Sequence, residues 1–324
     1  MMQNNRTHYY KNRLIIDSSN IDKRIDNFLF QYLSSNIEVN NELAVSRNKI
    51  QKFIKEEFIL VNEVPIKQSY KLKENDKVDI KIPIEFGSTT EVEPEPIDIE
   101  IVYSDSDIVV INKPHGLVVH PAHGHYSHTL VNAILYHFPE MKKNTNLLRF
   151  GIVHRLDKDT SGLLVIAKND YAQMNLSMQF KGRKVQKEYI AIVKGLIKNR
   201  TGEIQNRIGR SPMNRKKMSV LLTGGRDTFT EYKVIEYFKN YTYVQLHPLT
   251  GRTHQLRVHM SYIGNPIVGD TIYSKKKGEY DNLGLMLCAK KLRFFHPRDE
   301  RTMNFEVDIP DRFKILLEKL RNEE

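Results

Sequence analysis

The sequence predicts an α+β chain: a mixed, largely antiparallel sheet with flanking helices, preceded by a small α/β module. Three observations lead there. From residue 97 onward, short strand-like runs (97–102, 108–112, 163–167, 188–193, 232–238, 242–247) alternate with helical patterns (129–138, 171–180, 252–262, 311–320). They lack the regular βαβ rhythm of a parallel sheet. Glu91, Glu93, Pro94, Glu95 and Pro96 make an acidic, proline-containing stretch that self-repels and stays extended, so 86–96 reads as a linker. Finally, 324 residues suffice for two domains with cores of their own.

In chain order, residues 1–13 read as a disordered basic arm. Residues 22–34 carry Ile25, Phe28, Leu29 and Leu33 at helical spacing. A second helix is expected from Ser46, a good N-cap, burying Ile50, Phe53 and Ile54. Its other side presents Arg47, Lys49, Lys52 and Lys55. A strand over 58–61, a turn over 62–65 and an alternating strand with Val78, Ile80 and Ile82 complete a compact segment. This order resembles the S-four RNA-binding domain over residues 14–85. Family members usually place glycine in several turns here, where this chain has Glu57, Glu63 and Asn75. Beyond the linker, residues 97–324 form the second domain, whose 129–138 helix should bury Val131, Ile134, Leu135 and Phe138.

Charge narrows the partners. The formal net charge of +11 and pI of about 9.4 call for a polyanion, nucleic acid or an anionic membrane surface. No apolar run approaches the roughly 18 residues needed to span a bilayer. The opening MMQNNRTHYYKNR is polar and basic, so no secretory leader is expected. The single cysteine, Cys288, forbids an intrachain disulfide and fits a reducing cytoplasm. Nucleic acid is the favoured partner.

The richest stretch is 151–169, GIVHRLDKDTSGLLVIAKN. His154 and Arg155 lead into Asp157 and Asp159, then the turn Thr160, Ser161, Gly162 and an apolar strand. Packing alone does not ask for such polarity at a strand entrance, whereas a reactive side chain on a rigid base does. A structural polar turn is the bland alternative. A second stretch gathers His115, His120, His123, His125 and His128. It raises a metal site, yet the helical spacings and cysteine partners of a convincing one are missing, and loop histidines near an anion suit it better. In LTGRTHQLRVHM, Thr253 can cap a helix bearing His254, Gln255, Arg257 and His259 between apolar neighbours. A buried arginine needs a partner, and Asp157 is the natural candidate. Two basic clusters (Lys181, Arg183, Lys184, Lys187; Arg207, Arg210, Arg215, Lys216, Lys217) fit either solvated loops or a phosphate-tracking surface. Tyr189, inside a strand, is either core or a ring for a flipped base.

The segments NKPHGLVVHP, HTLVNAIL, HRLDKDTSGLLVIAK, KEYIAIVKG, IGRSPMNRKKM, TGRTHQLRVHM and GDTIY occur together and in order. Over residues 97–310 the chain thereby resembles the catalytic domain of the RluA family of pseudouridine synthases. With the S-four domain, the layout is that of the subgroup modifying large-subunit ribosomal RNA. The resemblance implies the pseudouridine synthase fold, and an isomerisation of uridine needing no metal, nucleotide or redox cofactor. It assigns the essential carboxylate to Asp157, leaving Asp159 in the turn. It pairs Arg257 with Asp157, sets Tyr189 against the target base and directs Arg155 toward the RNA. Lys113 and His120 are weaker candidates at the site. Further RNA contacts are expected from Arg47, Lys52, Arg183, Lys184, Arg210, Arg215, Lys216 and Arg252. The implied partner is large-subunit ribosomal RNA, free or within a precursor subunit; a monomer is the default expectation, with no membrane partner. Two other classes compete: a non-catalytic RNA-binding ribosome-assembly factor, and a metal-dependent nuclease using the histidines.

Overall fold

The computed structural model describes residues 8–35, 47–84, 92–120, 127–143, 148–214, 217–274 and 278–323. Ser46, His123, His125, Arg215 and Lys216, named above, lie outside the described residues. The chain divides into two compact units between Glu91 and Val92, inside the stretch read as a linker.

The first unit holds β1 (His8–Ile15), α1 (Ile25–Ser35), α2 (Arg47–Lys55), β2 (Ile59–Val61), β3 (Val64–Pro65) and β4 (Lys77–Ile84). Its antiparallel sheet runs β1-β4-β2-β3. Ile25, Leu29 and Leu33 of α1 meet Ile50, Phe53 and Ile54 of α2 over Val78, Ile80 and Ile82. Phe28 is only half-buried at the margin. The expected arm is corrected here, because residues 8–13 belong to β1 and pair in register with Asp79 to Ile84. Alternation explains it: Tyr10 and Leu14 turn onto the core, which the basic neighbours conceal in composition. Glu57, Glu63 and Asn75 stand at φ 61°, 66° and 66°. These turns keep the left-handed backbone that glycine accepts without strain.

One buried carboxylate organises the two helices. Asp26 accepts hydrogen bonds from Arg24, Arg47 and Gln51. Although burial acts to raise its pKa, these bonds outweigh it and hold Asp26 down at about 2. Arg47 is therefore anchored on one side and about half exposed, while Lys52 is exposed beside Glu56.

The second unit is built on the strands β5 (Glu100–Ser104), β6 (Ile108–Lys113), β7 (Ser161–Ala167), β8 (Gln186–Lys194), β9 (Thr201–Arg210), β10 (Met218–Val220), β11 (Arg226–Phe238), β12 (Tyr241–Pro248), β13 (Leu287–Phe295) and β14 (Thr302–Glu306). Helices α3 (Leu130–His137), α4 (Asp170–Lys181), α5 (Gln255–Tyr262) and α6 (Asp311–Asn322) accompany them. The sheet order is β10-β9-β11-β12-β8-β13-β7-β6-β5, with β14 on β13. Among the described residues, only β13 with β7 is a parallel strand pair; the other strand pairs of the sheet are antiparallel.

The central strands are buried on both faces, which is why they read as continuous apolar runs. Val109, Ile111, Leu164 and Ile166 face a core shared with α3 and α6. Ile108, Val110, Leu163, Val165 and Ala167 face a second core under α4. Thr129 and Asn132 form a reciprocal cap at the start of α3. Among the described residues, no helix is long and apolar enough to cross a membrane.

Candidate active site

Asp157 stands in the loop entering β7, and two clamps fix that loop on either side of it. Upstream, the His154 ring stacks on Phe180 at 4.5 Å, and its Nε2 accepts the Val165 N–H at 3.0 Å. Burial pushes His154 down to about 3, so its ring is neutral and Nε2 is free to accept. Downstream, the carbonyl of Lys158 accepts from the Lys113 ammonium at 3.0 Å and from the Gly116 N–H at 3.0 Å. Lys113 also donates to the carbonyls of Pro114 and Leu117 at 2.8 Å each. Gly162, at φ 110°, closes the turn; a Cβ there would stand 2.3 Å from the carbonyl oxygen of Ala289 on β13. Asp157 is thus delivered on a rigid base.

Arg257, 4% exposed on α5, reaches toward it. Its Nη1 lies 3.5 Å from Asp157 Oδ2. Its closer partner is Asp270, which takes Nε at 2.8 Å and Nη2 at 2.9 Å. Asp270 is fully buried and also accepts the N–H groups of Ile272 and Tyr273. Burial alone acts against both charges, but their pairing outweighs it, raising the pKa of Arg257 and lowering that of Asp270. The expected Arg257–Asp157 pair is present and is one link in a chain of three, with Asp270 holding the guanidinium and Asp157 at its open end.

His254, with φ 56°, completes the group. Its Nε2 is 3.9 Å from Asp157 Oδ2, and its Nδ1 bonds the Tyr273 hydroxyl at 2.7 Å. Burial lowers its pKa, partly countered by Asp157. The side-chain contacts of Asp157 with described residues thus fall on Oδ2, and Oδ1 takes no hydrogen bond from a described residue. Tyr189, on β8, is 9% exposed and shares the cavity wall with Asp157. Burial first, and Asp157 second, raise its pKa, so it stands as a neutral phenol.

These groups line a cavity of about 850 Å³ in the second unit, large enough for a nucleotide. Of the expected contacts, Arg155, His120, Arg183 and Arg252 also line it. Lys184 is exposed next to Arg183, and Arg210 is exposed at the end of β9, both outside the lining. Lys113 supports the site as expected, bracing the Asp157 loop, but its expected RNA contact is corrected: it is wholly buried and donates to three carbonyls. Asp270, His254 and Tyr273 were not singled out as site residues; the GDTIY segment carried the signal for Asp270 and Tyr273. One metal-like cluster occurs among the described residues, Asp105, Asp107 and His296. These side chains are engaged by Arg298, Asn169, Tyr103 and each other, a structural network that includes none of the histidines between 115 and 128.

The RNA pseudouridylate synthase family profile matches residues 107–262, and the S4 domain profile residues 39–78. An RNA pseudouridine synthase of Bacillus subtilis, itself uncharacterised, is 40% identical over 96% of this chain and 99% of its own. The chain belongs to the RNA pseudouridine synthase family. A ribosomal large subunit pseudouridine synthase D of Borreliella burgdorferi is 40% identical over 88% of this chain and 87% of its own. Among solved structures, human RNA pseudouridylate synthase domain containing 1 superposes with a TM-score of 0.54 at 29% identity, covering 69% of this chain and 95% of its own. RNA pseudouridine synthases are isomerases, and membership counts against the non-catalytic assembly factor.

Proposed function

We propose that this protein isomerises specific uridines of large-subunit ribosomal RNA, using Asp157 on a flipped-out base. The carrying observation is the asymmetry of Asp157. Its Oδ2 faces Arg257 and His254, and its Oδ1 is left for the substrate in a cavity of nucleotide size. The relatives named as large-subunit ribosomal enzymes support the choice of RNA.

In the reaction the N1–C1′ bond breaks, the uracil turns, a C5–C1′ bond forms, and the C5 proton is lost while N1 gains one. Asp157 acts at the sugar–base unit, and Arg257 keeps its carboxylate aimed. Tyr189, neutral and apolar on its face, packs against the uracil so that it turns without leaving. Arg155, exposed at the cavity rim, reaches the RNA around the flipped nucleotide. Unstacking the base costs a few kcal/mol. Phosphate contacts from Arg183, Lys184, Arg210 and Arg252, and from Arg47 and Lys52 in the S4 unit, offset that cost. The chain works as a monomer in the cytoplasm, consistent with its charge and its single buried cysteine.

The test is tritium release from large-subunit RNA carrying C5-tritiated uridine, with wild type and Asp157→Asn, each with and without chelator. Wild type should release tritium whether or not chelator is present. Asp157→Asn should lose turnover by at least about 10³-fold while still binding RNA. Release by Asp157→Asn at the wild-type rate sinks the assignment, and loss of wild-type release with chelator favours metal chemistry.

A further inference from the structure

The cavity has a second, cationic end that the chemistry at Asp157 does not use. Lys187 stands two residues before Tyr189 on β8, so both side chains project from the same face of the strand. Both line the cavity. The Lys187 ammonium abuts the 250–253 loop, 3.6 Å from where a Cβ on Gly251 would sit. It is half-buried, and among the described residues it has neither an ion pair nor a hydrogen bond. Burial pulls its pKa down to about 8, which still leaves it mostly protonated at neutral pH. A cation withdrawn from water without a counter-charge is costly and calls for an anionic visitor.

Two neighbours point the same way. Arg252 lines the cavity, and its Nε is buried without a hydrogen-bond partner. Helix α5 begins three residues later with no side-chain cap, because His254 adopts a left-handed backbone and spends its ring on Tyr273. An uncapped helix start offers N–H groups and partial positive charge. Asp157 is the one carboxylate among the residues lining the cavity, and it faces Arg257 and His254. The cationic end is therefore unneutralised by the described residues.

We propose that Lys187, Arg252 and the start of α5 form a phosphodiester subsite gripping the RNA backbone beside the nucleotide whose base stands at Asp157 and Tyr189. The subsite rests on reading the protein as an RNA isomerase. It makes the cavity bipartite, with a carboxylate and phenol for the nucleoside and two cations for the adjoining phosphate. It also gives Lys187 a purpose that neither packing nor ion pairing supplies.

The experiment measures binding of the full-length protein to a large-subunit ribosomal RNA transcript across a salt series, for wild type, Lys187→Met, Lys187→Arg and Arg252→Gln. Thermal melts check folding. Lys187→Met should weaken binding about tenfold and lower the log Kd against log salt slope by about one. Lys187→Arg should restore both, and Arg252→Gln should lower the slope like Lys187→Met. If Lys187→Met fails to fold, Lys187→Arg and Arg252→Gln carry the test. Wild-type slopes in Lys187→Met and Arg252→Gln overturn the subsite. So does a Lys187→Met protein that binds normally and loses only turnover, since that makes Lys187 part of the chemistry. The slope is a binding measurement, so it stands by itself; absence of tritium release from wild type strikes at the isomerase reading alone.

Discussion

Arg257 answers to two carboxylates with unequal claims. Two of its nitrogens are fixed by Asp270 at 2.8 and 2.9 Å, whereas Asp157 is held at 3.5 Å. The short bonds anchor the cation, and the long one aims the reactive group. Asp270→Asn should therefore let the guanidinium drift, lowering turnover by about 10²-fold through misplacement alone. It should also destabilise the fold by about 3 kcal/mol, because a buried arginine loses its main counter-charge. Steady-state tritium release and calorimetry would measure both, and unchanged turnover would reduce Asp270 to a purely structural role. The sequence makes the need for an arginine partner legible, since Arg257 sits among apolar neighbours. It does not reveal which aspartate comes closest, because Asp270 lies 13 residues beyond in a loop whose path no spacing rule sets. Lys113 shows a related limit: its RNA contact was expected from the resemblance, and only the folded chain shows three carbonyls converging on it.

At the scale of elements, most strands and helices were readable from periodicity, and the departures have local causes. Helix α5 starts at Gln255, three residues later than its pattern suggests. The Gln255 side chain accepts the Arg252 N–H and the Thr250 hydroxyl, closing a tight loop first. The loop is what puts Arg252, Thr253 and His254 on the cavity wall. Strand β1 went unread because its alternating Tyr10 and Leu14 are interleaved with polar and basic residues. The turns of the first unit carry a legible cost. Glu57 and Glu63 hold positive φ without glycine's freedom, so Glu57→Gly and Glu63→Gly should each stabilise the S4 unit by about 0.5–1 kcal/mol. Urea denaturation followed by circular dichroism would detect it, and a destabilising result would show that the Glu side chains contribute more than the strain removes.

Across the whole molecule, the two units have separate cores and bury different titratable groups. In the catalytic unit, burial holds His154 down at about 3 and His259 at about 4, against an ordinary 6.5. An unfolded chain binds those protons first. The stability that neutral imidazoles contribute is thus complete above pH 6.5 and lost as pH falls toward 4. The first unit has His8 as its sole histidine. Its buried Asp26, held at about 2, loses its contribution only below the ordinary carboxylate value of 3.8. Calorimetry of the intact chain between pH 7 and 4.5 should show one transition moving down while a second stays nearly fixed. Two transitions moving together would mean that acid sensitivity is shared.

The place of β13 bears on how the protein comes into being. This strand, residues 287–295, lies between β8 and β7, parallel to one neighbour and antiparallel to the other. A chain emerging residue by residue from its ribosome makes both neighbours more than ninety residues before the strand that joins them. Until it arrives, the β7 side and the β8 side each present an unpaired edge, and Asp157 and Tyr189 belong to halves not yet connected. The S4 unit, finished first, is thus folded while the enzyme behind it is still incomplete.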